Sequence, residues 1–195
     1  MIPAPPATLD KTPDRLVYKV ATERAEFEAI HRLNYETFVE EIPQHVANPQ
    51  RVLIDRFHAQ NTYVICLAGA RLVGMACGRC ERPFSVDQKV PDLDRRLPAH
   101  RKAVEIRLLS IVRDYRKTLA FPGLIEFLSR HFTEQGCDLA VISGTVREVR
   151  LYGHIGFEAF GEQVGPTTAS YQPMYLTLAT LKRLSTSRHG RTSSR

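Results

Sequence analysis

The sequence predicts an α/β or α+β domain built on one sheet with mixed strand pairing. Three observations predict it. A tight hairpin lies in the first half, with Tyr63 to Leu67 and Leu72 to Cys80 joined by the turn Ala68-Gly69-Ala70-Arg71. A strand–helix–strand unit follows, made of Ala103 to Val112, an amphipathic helix opened by Pro122 and closed by Gly136, and Leu139 to Ser143. Such a unit requires a right-handed crossover between two parallel strands. Phe157 to Phe160 and Tyr171 to Leu178 read as two closing strands. An antiparallel hairpin beside a parallel pair excludes a uniform doubly wound sheet.

The remaining elements follow in order. Residues 1–15, rich in Pro and polar side chains, read as a flexible lead-in to a domain spanning 16–181. Leu16 to Ala21 reads as the first strand. Thr22 offers an N-cap for a helix over Glu23 to Phe38, where Phe27, Ile30, Leu33 and Phe38 fall near helical spacing. Pro43 and Pro49 break the next stretch. Residues 81–101, with three prolines and many charges, read as a long loop of the functional kind. Val146 to His154 reads as a short helix stopped by Gly156. Residues 182–195 read as a disordered basic tail.

The composition, 43% hydrophobic and 25% charged over 195 residues, suits one soluble domain and excludes a disordered or fibrous chain. No run of eighteen apolar residues occurs, and the N-terminus has neither a basic start nor an apolar stretch. No membrane span is therefore expected, and a cytoplasmic location is. Cys66, Cys77, Cys80 and Cys137 are expected to be reduced thiols. The net charge is +6, but five cations and no acid sit in residues 182–195, which leaves +1 for the body. A nucleic-acid binder concentrates positive charge on its folded surface, so no nucleic-acid partner is expected. Within the body, residues 89–117 hold nine Lys or Arg against four acids, a patch suited to an acidic or phosphorylated ligand. Cys77-Gly78-Arg79-Cys80 ends a strand rather than opening a helix, and no further ligands lie at zinc spacing. The seven histidines form no H-E-x-x-H pattern, and no metal site is expected.

Two stretches carry a family resemblance. Glu105-Ile106-Arg107-Leu108-Leu109-Ser110-Ile111-Val112-Arg113-Asp114-Tyr115-Arg116 is similar to the fourth strand and the start of the pyrophosphate loop of the GNAT acyltransferase superfamily. Arg150-Leu151-Tyr152-Gly153-His154-Ile155-Gly156-Phe157 resembles that superfamily's late helix. The resemblance implies a GNAT-like, mostly antiparallel sheet of about seven strands, with a splayed parallel pair and flanking helices. It also implies direct acyl transfer from a thioester to an amine, with no covalent enzyme intermediate. Backbone groups of Leu109, Ser110 and Ile111 would pair with a pantetheine arm lying between the splayed strands. The N–H of Ile111 would stabilise the oxyanion. Tyr152 stands where the superfamily's general acid stands; its other reading is a core tyrosine. Arg116, Lys117 and Thr118 would hold phosphate, and Gln44 and His45 would line the acceptor pocket. No cofactor is permanently bound; acyl-CoA or acyl-phosphopantetheine is the cosubstrate.

The chemistry makes its own demand. An alkylammonium must lose a proton before it can attack near neutral pH. Glu105, an acid in a strand otherwise rich in Val, Ile and Leu, is the candidate base. Its other reading is a structural salt bridge to Arg107 or a neighbour.

The phosphate loop departs from the superfamily. Its glycine positions hold Leu119 and Phe121, and Pro122 removes one N–H donor. A donor on an acidic acyl carrier protein fits that departure, and the basic stretch 89–117 offers it a dock. Phe38-Val39-Glu40-Glu41-Ile42-Pro43-Gln44-His45 and Tyr171-Gln172-Pro173-Met174-Tyr175 resemble the N-acyl amino acid synthase and acyl-homoserine-lactone synthase branch. The reading is an N-acyltransferase acting on a small-molecule amine such as an amino acid. Acetyl transfer from acetyl-CoA to a small amine or protein, and a non-catalytic thioester-binding module, stay open beside it.

Overall fold

The computed structural model describes residues 15–165 and 170–180. Apart from Arg15, the expected lead-in and the basic tail lie outside the described residues. A seven-stranded sheet forms the frame, in the order β1-β2-β3-β4-β5-β7-β6. β1 (Leu16–Val20), β2 (Thr62–Ala68), β3 (Arg71–Arg79) and β4 (Ala103–Ile111) pair antiparallel in turn. β5 (Leu139–Thr145) runs parallel to β4, and β7 (Tyr171–Thr177) pairs antiparallel with both β5 and the short β6 (Glu158–Ala159).

Alternation along the strands sorts two cores. Val64, Cys66 and Ala68 of β2 face helix α3 (Ala120–Glu134), which packs Leu124, Leu128 and Phe132 against them. Tyr63 and Ile65 face helix α1 (Arg24–Tyr35), which contributes Ile30 and Leu33. α1 starts one residue later than its expected cap. Glu23, not Thr22, is the N-cap, and Glu26 closes a capping box while also accepting the N–H of Thr22. The helix does not run evenly to Phe38. It widens into a π-helix over Glu36–Glu41, a distortion common at functional sites.

The segment expected as a long loop is packed. It holds a short helix, α2 (Leu93–Arg96), and Phe84, Val86, Val90, Leu93 and Leu97 form a third cluster with Ala103, Leu139 and Val141. Glu105 organises it. This carboxylate is fully buried and takes four donors: the Ser85 N–H (2.9 Å), the Ser85 hydroxyl (2.5 Å), the Val86 N–H (3.0 Å) and Arg79 Nη2 (3.4 Å). A buried charge held this way is costly to strip of its partners and equally costly to remove from them. Glu105→Ala leaves a buried guanidinium and two N–H groups unpaired. It should destabilise the fold by about 3–5 kcal/mol in equilibrium urea unfolding; a loss under about 1 kcal/mol would show that water readily replaces the carboxylate.

Candidate active site

β4 and β5 begin as a ladder and then part. Ala103, Val104 and Glu105 pair with Leu139, Ala140 and Val141, and the pairing stops there. β4 continues to Ile111 beside β3, and β5 continues to Thr145 beside β7. The cause lies in β4. Leu108 adopts a left-handed backbone (φ 54°), and the β3 register jumps between Met75 and Cys77. Such a bulge bends its strand and raises its twist. It also resets the side-chain alternation: Val104 and Ile106 face α3 before it, and Leu109 and Ile111 face α3 after it.

The bulge governs which backbone groups are free. Val112 donates to the Val73 carbonyl at 2.9 Å, so the neighbouring pair Gly74–Ile111 is a non-hydrogen-bonded one. The N–H and C=O of Ile111 therefore face away from β3, toward the gap that β5 leaves. Arg116 Nε takes that carbonyl at 2.9 Å. By the same alternation the backbone of Ser110 is turned to β3. Its hydroxyl shares a 2.5 Å hydrogen bond with Thr37 Oγ1 of the π-helix. Ser110 thus docks the helix on the sheet and does not reach the gap, which corrects its expected role in donor binding. Leu109 does line the opening.

A cavity of about 550 Å³ occupies the parting. Under α3 it is apolar, walled by Val104, Ile125, Leu128, Phe132, Ala140 and Ile142. On the α1 side it becomes polar, with Asn34, Gln44, His45, Asp55, Lys89 and Arg107. Gln44 and His45, expected in an acceptor pocket, line this part of the cavity. Phe38 lines it too, whereas Phe57 lies beneath the guanidiniums of Arg56, Arg79 and Arg107, at 4.5, 3.6 and 4.9 Å.

Tyr152 lies on α4 (Val149–Ile155) and also lines the cavity. Its ring packs over Gly144 and edge-on to Phe157, 6.2 Å between centroids. Among the described residues its hydroxyl has no hydrogen-bond partner. Burial, with the Glu148 charge adding to it, pushes its pKa up to about 12, so it holds its proton at neutral pH.

Glu105 is placed differently from its expected catalytic role. Its four donors fill the four lone-pair positions of a carboxylate, and it is absent from the cavity wall. The salt-bridge partner is Arg79 rather than Arg107. Arg107 instead pairs with Asp55 at 2.8 Å. Asp55 carries no sequence motif; an acid in the Leu53-Ile54-Asp55 stretch was the one signal available. Its Oδ1 accepts from Arg107, the Phe57 N–H (2.9 Å) and Asn61 (2.9 Å), while Oδ2 is left open on the chamber. Burial works to raise its pKa, but Arg107 and the other donors outweigh that and hold the carboxyl below its usual range. Asn34, which the sequence places on the helix but gives no role, is fully buried, and neither end of its amide has a partner.

Two side chains of the loop after β4 are committed within the protein. Arg116 grips Glu41 through both nitrogens at 2.5 Å, which ties the loop to the π-helix. The Thr118 hydroxyl gives its proton to the Tyr115 carbonyl and accepts the Ala120 N–H. These two residues, expected to hold phosphate, are committed within the protein, and Lys117 alone of the three is exposed without a partner. Leu119 and Phe121 do not fill the loop: Leu119 is 74% exposed and Phe121 packs on the core. The side chains of this loop are committed, but the backbone N–H groups of Lys117, Leu119 and Phe121 have no acceptor among the described residues.

Among the described residues no helix is long and apolar enough to cross a membrane, and no group of three His, Cys, Asp or Glu is arranged to hold a metal. Cys80 and Cys137 are free thiols with sulfurs 3.4 Å apart.

A mostly antiparallel sheet whose single parallel pair parts over a cavity is the GNAT acyltransferase arrangement, and GNAT-family chains are among the structural neighbours. The chain belongs to the N-acyl amino acid synthase FeeM family, whose model matches residues 29–179, and it is an acyltransferase. Among curated proteins none matches in sequence. FeeM itself, an N-acyl amino acid synthase from uncultured soil microbes, superposes with a TM-score of 0.66 at 16% identity, covering 89% of this chain and 96% of its own. The CoA-dependent acyl-homoserine lactone synthase BjaI, solved with SAM and isopentyl-CoA, gives 0.67 at 20% identity over 81% and 79%. The acyl-homoserine lactone synthase LasI gives 0.70 at 14% identity over 85% and 91%. At these identities the likeness is one of fold.

A Cβ added at Gly144 would meet the Tyr152 ring at 2.8 Å. Gly144→Ala should therefore displace the phenol and lower kcat at least tenfold, with the loss in kcat rather than in donor KM. Unchanged kcat in steady-state assays would show that the position of the phenol is immaterial.

Proposed function

We propose that the protein transfers an acyl group from a pantetheine thioester directly to the amine of a small molecule such as an amino acid. The observation that carries this reading is the continuity of the cavity. An apolar arm under α3 and a polar chamber under α1 meet where β4 leaves β5. The acyl chain occupies the first, the amine enters from the second, and the thioester lies between them at the freed edge of β4.

The steps balance as follows. Asp55 Oδ2 accepts a proton from the entering ammonium. The free amine attacks the thioester carbonyl, and the developing oxyanion takes the Ile111 N–H. The C–S bond breaks, and the thiolate takes the Tyr152 proton. The phenolate then recovers a proton from the nitrogen, leaving amide and thiol. Asp55 serves here in place of Glu105, because Glu105 has no lone pair open to the cavity. An oxyanion donor of this kind is worth about 3–4 kcal/mol of barrier.

An apolar arm of this size supports a long acyl chain over acetyl. The commitment of the Arg116 and Thr118 side chains supports a carrier-protein donor, and exposed Arg113 and Lys117, which make no salt bridge among the described residues, suit an acidic carrier. CoA stays a donor to be tested, since BjaI, alike in fold, is CoA-dependent. Turnover of dodecanoyl carrier protein, dodecanoyl-CoA and acetyl-CoA, measured side by side with mixed amino acids, should favour the dodecanoyl donors by at least tenfold in kcat/KM. Rapid acetyl transfer without dodecanoyl transfer would reject the long-chain reading. If no thioester raises the melting temperature, the enzyme reading itself fails. Tyr152→Phe should cut kcat more than tenfold with donor affinity retained; an undiminished kcat would assign the thiolate's proton to water.

A further inference from the structure

Three cations line the chamber, and two of them are spent. Arg107 is paired with Asp55, and Arg56 donates to the Gln88 side chain at 2.8 Å while lying on Phe57. Lys89 is the third. Among the described residues it has no carboxylate and no hydrogen-bond acceptor on its ammonium; its recorded contact is the Tyr171 ring, 4.2 Å from Nζ. Glu105, the nearby acid, is filled by other donors.

An unpaired ammonium at such a position is unfavourable in the free protein. Burial lowers its pKa; the Glu105 charge opposes that shift, and the charges of Arg107 and Arg56 add to it. The backbone that carries Lys89 is fixed. The Lys89 and Val90 N–H groups both return to the Val86 carbonyl, and Val86 is itself held by Glu105. Lys89 is thus an unpaired cation on the wall of the same chamber as Asp55, whose Oδ2 takes no donor. An acid and a cation both turned to one polar space match a dipolar ligand: an ammonium for the first, an anion for the second.

We infer that Lys89 binds the carboxylate of the acceptor and makes the enzyme select amines that carry one. The inference rests on the acyl-transfer reading and adds the group that discriminates among acceptors. Asp55 takes the amine end, Lys89 the carboxylate end, and the reacting nitrogen is held toward the parted strands. An amine without the anion leaves Lys89 half-buried and unpaired, which is how a polar site rejects an analogue that lacks one group.

The test compares acids with their uncharged counterparts. Binding of N-dodecanoylglycine and N-dodecanoylglycinamide is measured by calorimetry in the wild type, Lys89→Met and Lys89→Arg. Steady-state acylation of amino acids and of their amides is measured in the same three proteins. The wild type should favour the acid by about 30-fold or more in Kd and in kcat/KM. Lys89→Met should bring that ratio close to one, with the loss in KM, and Lys89→Arg should keep most of it. A wild-type ratio near one, or a ratio that survives Lys89→Met, overturns the assignment. Binding of neither product by the wild type brings down the acyl-transfer reading along with it, whereas equal binding of both removes only the role of Lys89. A melting temperature for each variant separates misfolding from loss of recognition, and the acid-to-amide ratio is internal to each protein.

Discussion

The structure turns on a strand that cannot keep its neighbour. Buried backbone groups must be paired, and a parallel ladder between β4 and β5 would pair them. The left-handed residue Leu108 ends that possibility after three rungs. Each group released on the inner edge of β4 then needs a partner from outside the ladder. The Ile111 carbonyl finds one in Arg116. Its N–H faces a slot shaped for an extended chain, and an amide-bearing arm can enter such a slot as a strand adds to a sheet edge. On the acyl-transfer reading the donor slot is created by withholding hydrogen bonds, and no dedicated side chain is required.

Keeping the slot open places a load on the elements around it. Two polar ties carry it on the α1 side. Thr37 and Ser110 join the π-helix to β4, and Glu41 and Arg116 join the same helix to the loop that leaves β4. On the other flank, buried Glu105 fixes the segment that bears Ser85 and Lys89. A charge without its own water is stable only when every lone pair is filled. That requirement makes Glu105 a good anchor and, for the same reason, a poor base.

Much of the frame was legible from residue order. The hairpin, the strand–helix–strand unit, the late helix and its Gly156 stop all follow from period and punctuation. Tyr152, Gln44 and His45, singled out by the family resemblance, line the cavity, and the Ile111 N–H, singled out likewise, faces the gap. Three things were hidden. Ala103 to Val112 reads as an unbroken apolar strand, because nothing in Leu108-Leu109 announces a left-handed turn at a non-glycine residue. The partners of Glu105 come from residues 79, 85 and 86, some twenty positions away, so a lone acid in a strand could be read as base or as anchor. Asp55 and Lys89 lie in Pro-interrupted stretches without periodicity, and their place on one cavity wall is a product of tertiary folding alone. Arg116 matched a family position in sequence, yet in space its charge is used to hold Glu41.

The sheet itself divides the chemistry. A long apolar chain and a dipolar amine demand opposite surroundings: the one is expelled from water, the other loses hydration that must be replaced by fixed charges. A single pocket on one face could not serve both without burying unpaired charge beside the chain. Here the α3 face supplies aliphatic and aromatic walls, the α1 face supplies Asp55, Asn34 and Lys89, and the parting of β4 from β5 is the opening in the partition. On the acyl-transfer reading the two substrates meet at the parting of the strands, where the Ile111 N–H faces the gap and Tyr152 lines the cavity. Acyl length is then a property of the depth beneath α3, and acceptor choice a property of the chamber beneath α1. A fold built this way can change one specificity without disturbing the other.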